Sequence, residues 1–401
     1  MTTNVFSQDQ RWSGQKPSIS ATLGVRILHL AVAALLLAGC GTVTRPDFGA
    51  DEQAQAQPVG FSDVRFDADN LSQTAAFNKR FLSNLPDMTV NGLQILVLSG
   101  GGADGAYGAG FLQGWTHSGK RPSFAIVTGI SAGALIAPFA FLGAEWDDRL
   151  QAAFIDGRSA KLLRRRSGLG VLFSGGIYEA EPLRRLVESY VDNQLIVDIA
   201  KENAKGRRLL VATTDLDTQR SVVWDLGAIA SRGGPAARAL FIDVLVASAS
   251  VPGVFPPQLI AVEDGHGHHF QEMHVDGGTS EAFFGIPESL LLMKAPQTQN
   301  NNIHMYVLLN TVAKPSFAVT KTDTLGVAAR AFDTMMKSST RTLVSVTKVF
   351  CLRNNLSCLF AAVPPGAGSE DFLDFSTSNA TKLFQLGQAD GLAGTGWQAS
   401  P

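Results

Sequence analysis

Short apolar runs recur along the chain at Leu93 to Leu98, Phe124 to Val127, Leu209 to Ala212, Val222 to Trp224 and His304 to Leu309. They do not alternate with polar residues, so they suit strands buried on both faces. Between them the period changes. Glu181 to Val191, Arg238 to Ala249 and the stretch from about Thr322 to Phe350 space their apolar residues as helices that bury one face do. Strands alternating with helices predict an α/β fold of three layers, α/β/α, around a mostly parallel central sheet. No repeat and no long Pro/Gly/Ser linker interrupts this pattern, so one domain is expected over residues 61–392, followed by a tail at 393–401.

The N-terminus reads differently. Asp9, Arg11, Lys16 and Arg26 give the first residues a net charge of +2, and Ile27 to Ala38 is then almost wholly apolar. A basic region, a short apolar run and a small-residue cleavage site make a secretory signal, too short to span a bilayer. Leu37-Ala38-Gly39-Cys40 resembles the bacterial lipobox, which implies a signal at 1–39 and lipid on Cys40. Acyl chains there would bury methylenes at about 0.8 kcal/mol each, enough to anchor the protein without a span. The expected location is the bacterial cell envelope, facing the periplasm, on the outer membrane in preference to the inner. An ordinary signal peptide or an uncleaved anchor is the plainer alternative. Residues 40–60 are polar, Ala/Gln-rich and without apolar periodicity, and read as a flexible tether.

Charge and cysteines fit this picture. The chain has 401 residues with 33 Lys+Arg against 35 Asp+Glu, a net of −2. Cleavage would leave 401 − 39 = 362 residues near −4, which gives no electrostatic reason to expect a nucleic-acid partner. A composition of 45% hydrophobic and 17% charged residues excludes a disordered protein. With Cys40 taken by lipid, Cys351 and Cys358 remain in an oxidising compartment and are expected to form a disulfide, two buried thiols being the alternative.

Chemistry is concentrated in two turns. After Leu93 to Leu98 comes Ser99-Gly100-Gly101-Gly102-Ala103-Asp104-Gly105, then an apolar helix. The glycines match a dinucleotide fingerprint, but the acidic residue that would hold a ribose about 20 positions on is missing, and no Gly-Lys-Ser/Thr follows for a P-loop. What remains is a glycine loop at a helix N-terminus whose N–H groups can hold an oxyanion. The next turn, Gly129-Ile130-Ser131-Ala132-Gly133, is G-x-S-x-G between strand and helix, the pattern of a nucleophile elbow. A tight turn with a capping serine is the plain alternative, and the glycine loop upstream argues against it.

A serine hydroxyl needs a base. Five of the histidines His117, His266, His268, His269, His274 and His304 follow Ser131, so order alone permits a Ser, Asp, His triad. Val275-Asp276-Gly277-Gly278 offers a carboxylate at a strand end instead, although an isolated Asp-Gly-Gly is more often only a turn.

Taken together, Gly100 to Gly105, Gly129 to Gly133, Ala-Ser-Ala-Ser-Val-Pro-Gly-Val-Phe-Pro-Pro at 247 to 257 and Asp276 to Gly278 resemble the patatin-like phospholipases. The likeness spans about Leu93 to Leu309. It implies a three-layer acyl hydrolase with a Ser131–Asp276 dyad, no catalytic histidine, and an oxyanion hole from the N–H groups of Gly100, Gly101 and Gly102. No metal or cofactor is expected; the partners expected are a lipid or ester substrate and, through the anchor, a membrane. A catalytically silent lipoprotein that binds lipid or a partner protein is the competing class, and an acyltransferase differs only in what attacks the acyl-enzyme. Two other features have bland readings. Gly265-His266-Gly267-His268-His269 reads as a flexible loop without carboxylates to complete a metal site. The basic run Arg158, Lys161, Arg164, Arg165 and Arg166 reads as a solvated helix end, with a lid over Leu169 to Tyr178 as the alternative.

Overall fold

A computed structural model describes residues 45–399, apart from 83–91, 165–175, 284, 286–302, 316, 318, 321, 323, 370 and 395. The expected signal, Cys40 and most of the alternative lid therefore lie outside the described residues. Among the described residues ten strands form one sheet. In chain order they are β1 (Gln57–Pro58), β2 (Arg65–Asp67), β3 (Leu93–Leu98), β4 (Ile126–Gly129) and β5 (Arg208–Asp215). Then follow β6 (Arg220–Asp225), β7 (Gln258–Glu263), β8 (His269–Asp276), β9 (Ile303–Leu309) and β10 (Ser357–Ala362). The block β10-β9-β3-β4-β5 is parallel. Antiparallel pairing extends it through β8, β7 and β1 on one side, and β6 with β2 branches from β5.

The central strands are apolar throughout because both faces are covered. On β3, Leu96 and Leu98 point into one hydrophobic core while Ile95 and Val97 point into the other. The first core is capped by a layer containing α1 (Gly105–His117), α2 (Ala132–Leu142), α3 (Gly234–Ser248) and α5 (Thr377–Ala393). The second is smaller and packs against Val344 of the 30-residue α4 (Thr324–Arg353). This is the three-layer α/β/α arrangement. A disulfide joins Cys351, in the last turn of α4, to Cys358 in β10.

Both chain ends depart from expectation. The segment read as a tether is ordered from Arg45: its guanidinium pairs with Asp217, Phe48 stacks on Phe270 at 4.4 Å between centroids, and a short helix covers Ala50–Gln55. Scattered side-chain contacts and the two-residue strand β1 hold it, which is why periodicity gave no sign. The expected tail is also packed. Trp397 lies within 5.2 Å, centroid to centroid, of Phe111, Trp115 and Tyr306, so Arg45–Pro401 is one compact unit.

The last helix binds the first one closely. α1 and α5 cross backbone to backbone, and a Cβ on Gly110 would come 2.0 Å from the carbonyl oxygen of Phe384, one on Gly387 2.0 Å from that of Tyr107. Only glycine permits this approach. Gly387→Ala should force the helices apart and lower stability by about 1–3 kcal/mol, read as a lower urea midpoint, whereas an unchanged midpoint would mean that the close contact does not form.

Candidate active site

The glycine loop and the elbow lie side by side because β3 and β4 are parallel neighbours, with Leu98 in register with Gly129. Both turns leave the carboxyl ends of their strands. At the elbow, Ser131 has φ 55° and ψ −124°, a left-handed conformation that strains a residue with a side chain. The flanking glycines allow it: a Cβ on Gly129 would sit 2.5 Å from the Gly133 carbonyl, and one on Gly133 2.4 Å from the Leu98 carbonyl. The loop reaches the serine at Gly100, whose Cβ position is 3.2 Å from Ser131 Cβ.

The three loop glycines are not equivalent. Gly100 N–H donates to the Ala282 carbonyl at 3.3 Å, which removes it from the three donors expected of the oxyanion hole. Gly101 and Gly102 donate no hydrogen bond among the described residues, and Gly102 adopts φ +57°. Two donors therefore remain for an oxyanion. Asn310, fully buried after β9, props the loop: its amide donates to the Ser99 carbonyl at 2.7 Å, and its N–H donates to Ser99 Oγ at 2.8 Å. Reading the sequence missed Asn310, whose only mark is a polar residue ending an apolar run.

Asp276 meets Ser131 through β5. β6 occupies one edge of β5, so β4 and β8 share the other. β4 ends with Gly129 opposite Val211, and β8 arrives from the opposite direction and ends with Asp276 opposite Thr213. Ser131 and Asp276 thus converge on the gap facing Ala212. Asp276 is 1% exposed; its Oδ1 accepts the Gly278 N–H at 2.8 Å, while Oδ2 is buried without a hydrogen-bond partner. Burial pushes its pKa up to about 7, against the opposing pull of the Ser131 hydroxyl and the Gly278 N–H. A carboxylate in this state can take a proton from a hydroxyl at neutral pH.

The surroundings come mostly from the far end of the chain. Phe332, Met336 and Lys337 of α4, together with Ser369 and Phe372, line the same pocket as Ser131 and Asp276, a space of about 30 Å³. Lys337 pairs with Asp333 at 2.9 Å. Asp104 accepts from Ser369 Oγ at 2.6 Å, and burial raises its pKa. Beside Gly102 and Ala132 a second, apolar cavity of about 70 Å³ is lined by Leu135, Pro138, Phe139, Tyr190 and Leu245. A groove of about 900 Å³ beside Arg45 and Arg65 is lined by no serine, cysteine or histidine among the described residues.

No histidine lines the Ser131 pocket among the described residues. His274 is buried between Thr213 Oγ1 and Glu272, at 3.0 and 3.1 Å, and Arg65 holds Glu272 down at a pKa of about 2. The histidine-rich loop joins β7 to β8, roughly 20 Å along the strand from Asp276. Against expectation it does find carboxylates: His268 Nδ1 lies 3.0 Å from Asp264 and 3.1 Å from Glu52, the latter on the segment read as a tether. Their atoms are near enough to share a metal ion. In the basic run, Arg158 pairs with Asp156 and stacks on Tyr190, and Arg164 pairs with Glu179.

Raised from an ordinary carboxyl value, the Asp276 pKa makes its ionised form a burden on the fold. Below about pH 4 the group is neutral folded or unfolded; as pH rises toward 7 only the unfolded chain ionises, and stability is lost. Asp276→Asn should therefore be more stable than wild type at pH 8 by a few kcal/mol and equal to it near pH 4. A difference between the two urea midpoints that does not change with pH would contradict the buried charge.

Comparison with known proteins adds family to geometry. VipD from Legionella pneumophila shares 14% identity, with a TM-score of 0.43 over 76% of this chain and 67% of that one. The type III effector protein ExoU shares 11%, with a TM-score of 0.27 over 77% of this chain and 55% of that one. Among curated proteins nothing matches. Residues 96–287, which contain the glycine loop, the elbow and Asp276, match the patatin-like phospholipase family.

Proposed function

We propose that this lipid ester hydrolase is a lipid-anchored enzyme of the cell envelope that cleaves carboxylic esters with a Ser131–Asp276 dyad. The observation that carries the dyad is the convergence of Ser131 and a fully buried Asp276, its pKa raised to about 7, on one pocket at the gap facing Ala212. Ser131 Oγ attacks the ester carbonyl as its proton passes to Asp276. The carbonyl oxygen gains charge and is met by the free N–H groups of Gly101 and Gly102, fixed before the reaction begins. Collapse expels the alcohol, which takes the proton back from Asp276, and leaves an acyl-enzyme. Water then repeats the sequence, with Asp276 again as base.

The apolar cavity suits the acyl chain, since its lining includes Gly102 of the glycine loop and Ala132, the residue after Ser131. The space at Ser131, about 30 Å³, is smaller than the apolar cavity beside it. Met336, a flexible side chain that lines this space against both Gly100 and Gly278, can adapt to a bound ester. The anchor rests on the lipobox at Leu37 to Cys40, which precedes the described residues.

A chain-length series of esters and phospholipids, assayed with wild type and two variants, tests this reading. Ser131→Ala should lower kcat by at least about 10³-fold on every substrate. Leu135→Trp, which fills the apolar cavity, should cost more on long acyl chains than on acetyl esters. Hydrolysis that survives Ser131→Ala would remove the nucleophile, and equal losses along the series would remove the acyl site. For the anchor, Cys40→Ser should move the protein from the membrane fraction to the soluble periplasm; an unchanged distribution would refute it.

A further inference from the structure

We propose that Ser248 is a positioning residue for the acyl-transfer step, setting the distance between Ser131 and Asp276 through the carbonyl of Ala212. The proposal rests on the dyad above. Ser248 is the last residue of α3 and is 0% exposed. Its Oγ lies 3.0 Å from the backbone nitrogen of Ser131 and 2.7 Å from the oxygen of Ala212. The polarity of this link is fixed. Ser131 N–H can only donate, so Ser248 Oγ accepts there, and its own proton goes to Ala212.

Ala212 is the position on β5 that neither β4 nor β8 pairs, since their registers stop at Val211 and Thr213. A carbonyl in the middle of a sheet without a ladder partner is costly, and the hydroxyl supplies the missing donor. One side chain thereby ties the strained elbow to the strand against which Asp276 is registered. The same helix end holds the other partner, for the Ser250 carbonyl accepts the Asp276 N–H at 2.9 Å. Gly277 completes the fit: a Cβ there would stand 2.5 Å from the Ala212 oxygen.

Alanine at 248 would leave the Ser131 N–H and the Ala212 carbonyl unpaired together. The left-handed backbone of Ser131 persists only while its surroundings hold it, so the elbow would relax and carry Oγ away from Asp276. A misplacement of about 1 Å at reacting atoms costs on the order of 10²-fold in rate.

A purely structural serine would behave differently, and activity per labelled site separates the two roles. Folded Ser248→Ala is titrated with a fluorophosphonate to count reactive Ser131, and hydrolysis of a soluble ester is expressed per titrated site. The expected result is a fall in kcat of about 10- to 100-fold per site, with KM within about twofold and slower phosphonylation in parallel. A lower melting temperature and fewer titratable sites, but wild-type kcat for each remaining site, would overturn the proposal. Should the alanine variant not fold, Ser248→Cys keeps the volume while weakening both hydrogen bonds; it should lose several-fold per site, and wild-type turnover would again overturn the proposal. Failure of the dyad looks different, because wild type itself would then carry no adduct on Ser131.

Discussion

One unpaired position on β5 organises the site. Two strands running in opposite directions share an edge of β5 and stop two residues apart, at Val211 and Thr213. Neighbouring residues along a strand are about 3.3 Å apart, so the gap is roughly 7 Å wide. That spacing is wide enough for two side chains and too narrow for a third strand. The elbow leaves from one strand end and Asp276 stands at the other. Their encounter is therefore a property of sheet register, which a one-residue slip would destroy by turning every side chain to the opposite face.

Dryness is the second constraint, and residues beyond the family domain impose much of it. The domain match ends at residue 287, yet Met336 and Lys337 of α4, with Ser369 and Phe372, wall the pocket that holds Ser131. α5 is locked to α1 by backbone contact, and α1 begins at the end of the glycine loop. The carboxyl-terminal quarter thus holds the loop from behind and walls the pocket into which Asp276 faces. Without that cover its pKa would return toward an ordinary carboxyl value and its basicity would fall.

Much of this was legible in the residues, and the gaps have physical causes. The apolar runs that mark β3, β4, β5, β6 and β9 stand out because burial on both faces demands continuous hydrophobicity. The glycine loop, Gly129 to Gly133 and Asp276 stand out because close backbone approach leaves glycine as the only option. Three things were hidden. The Gly100 N–H is spent on Ala282, a pairing between residues 182 positions apart that no local pattern encodes. Arg45, Phe48 and Glu52 join the fold through contacts to the β7–β8 hairpin and the turn beside it that follow no period in the sequence. Asn310 and Ser248 act through backbone groups, and a polar residue at the end of an apolar run does not announce its partner.

In the proposed mechanism a dry carboxyl, and no histidine, activates Ser131. The pH dependence of the rate at which a fluorophosphonate modifies Ser131, followed by intact-protein mass in wild type and Asp276→Asn, tests it most directly. The account predicts a wild-type rate that climbs about tenfold per pH unit and levels off near pH 7, where Asp276 loses its proton. It further predicts a rate in Asp276→Asn lower by at least about 10²-fold at every pH. An acid limb near pH 4, or modification of Asp276→Asn at the wild-type rate, would contradict it.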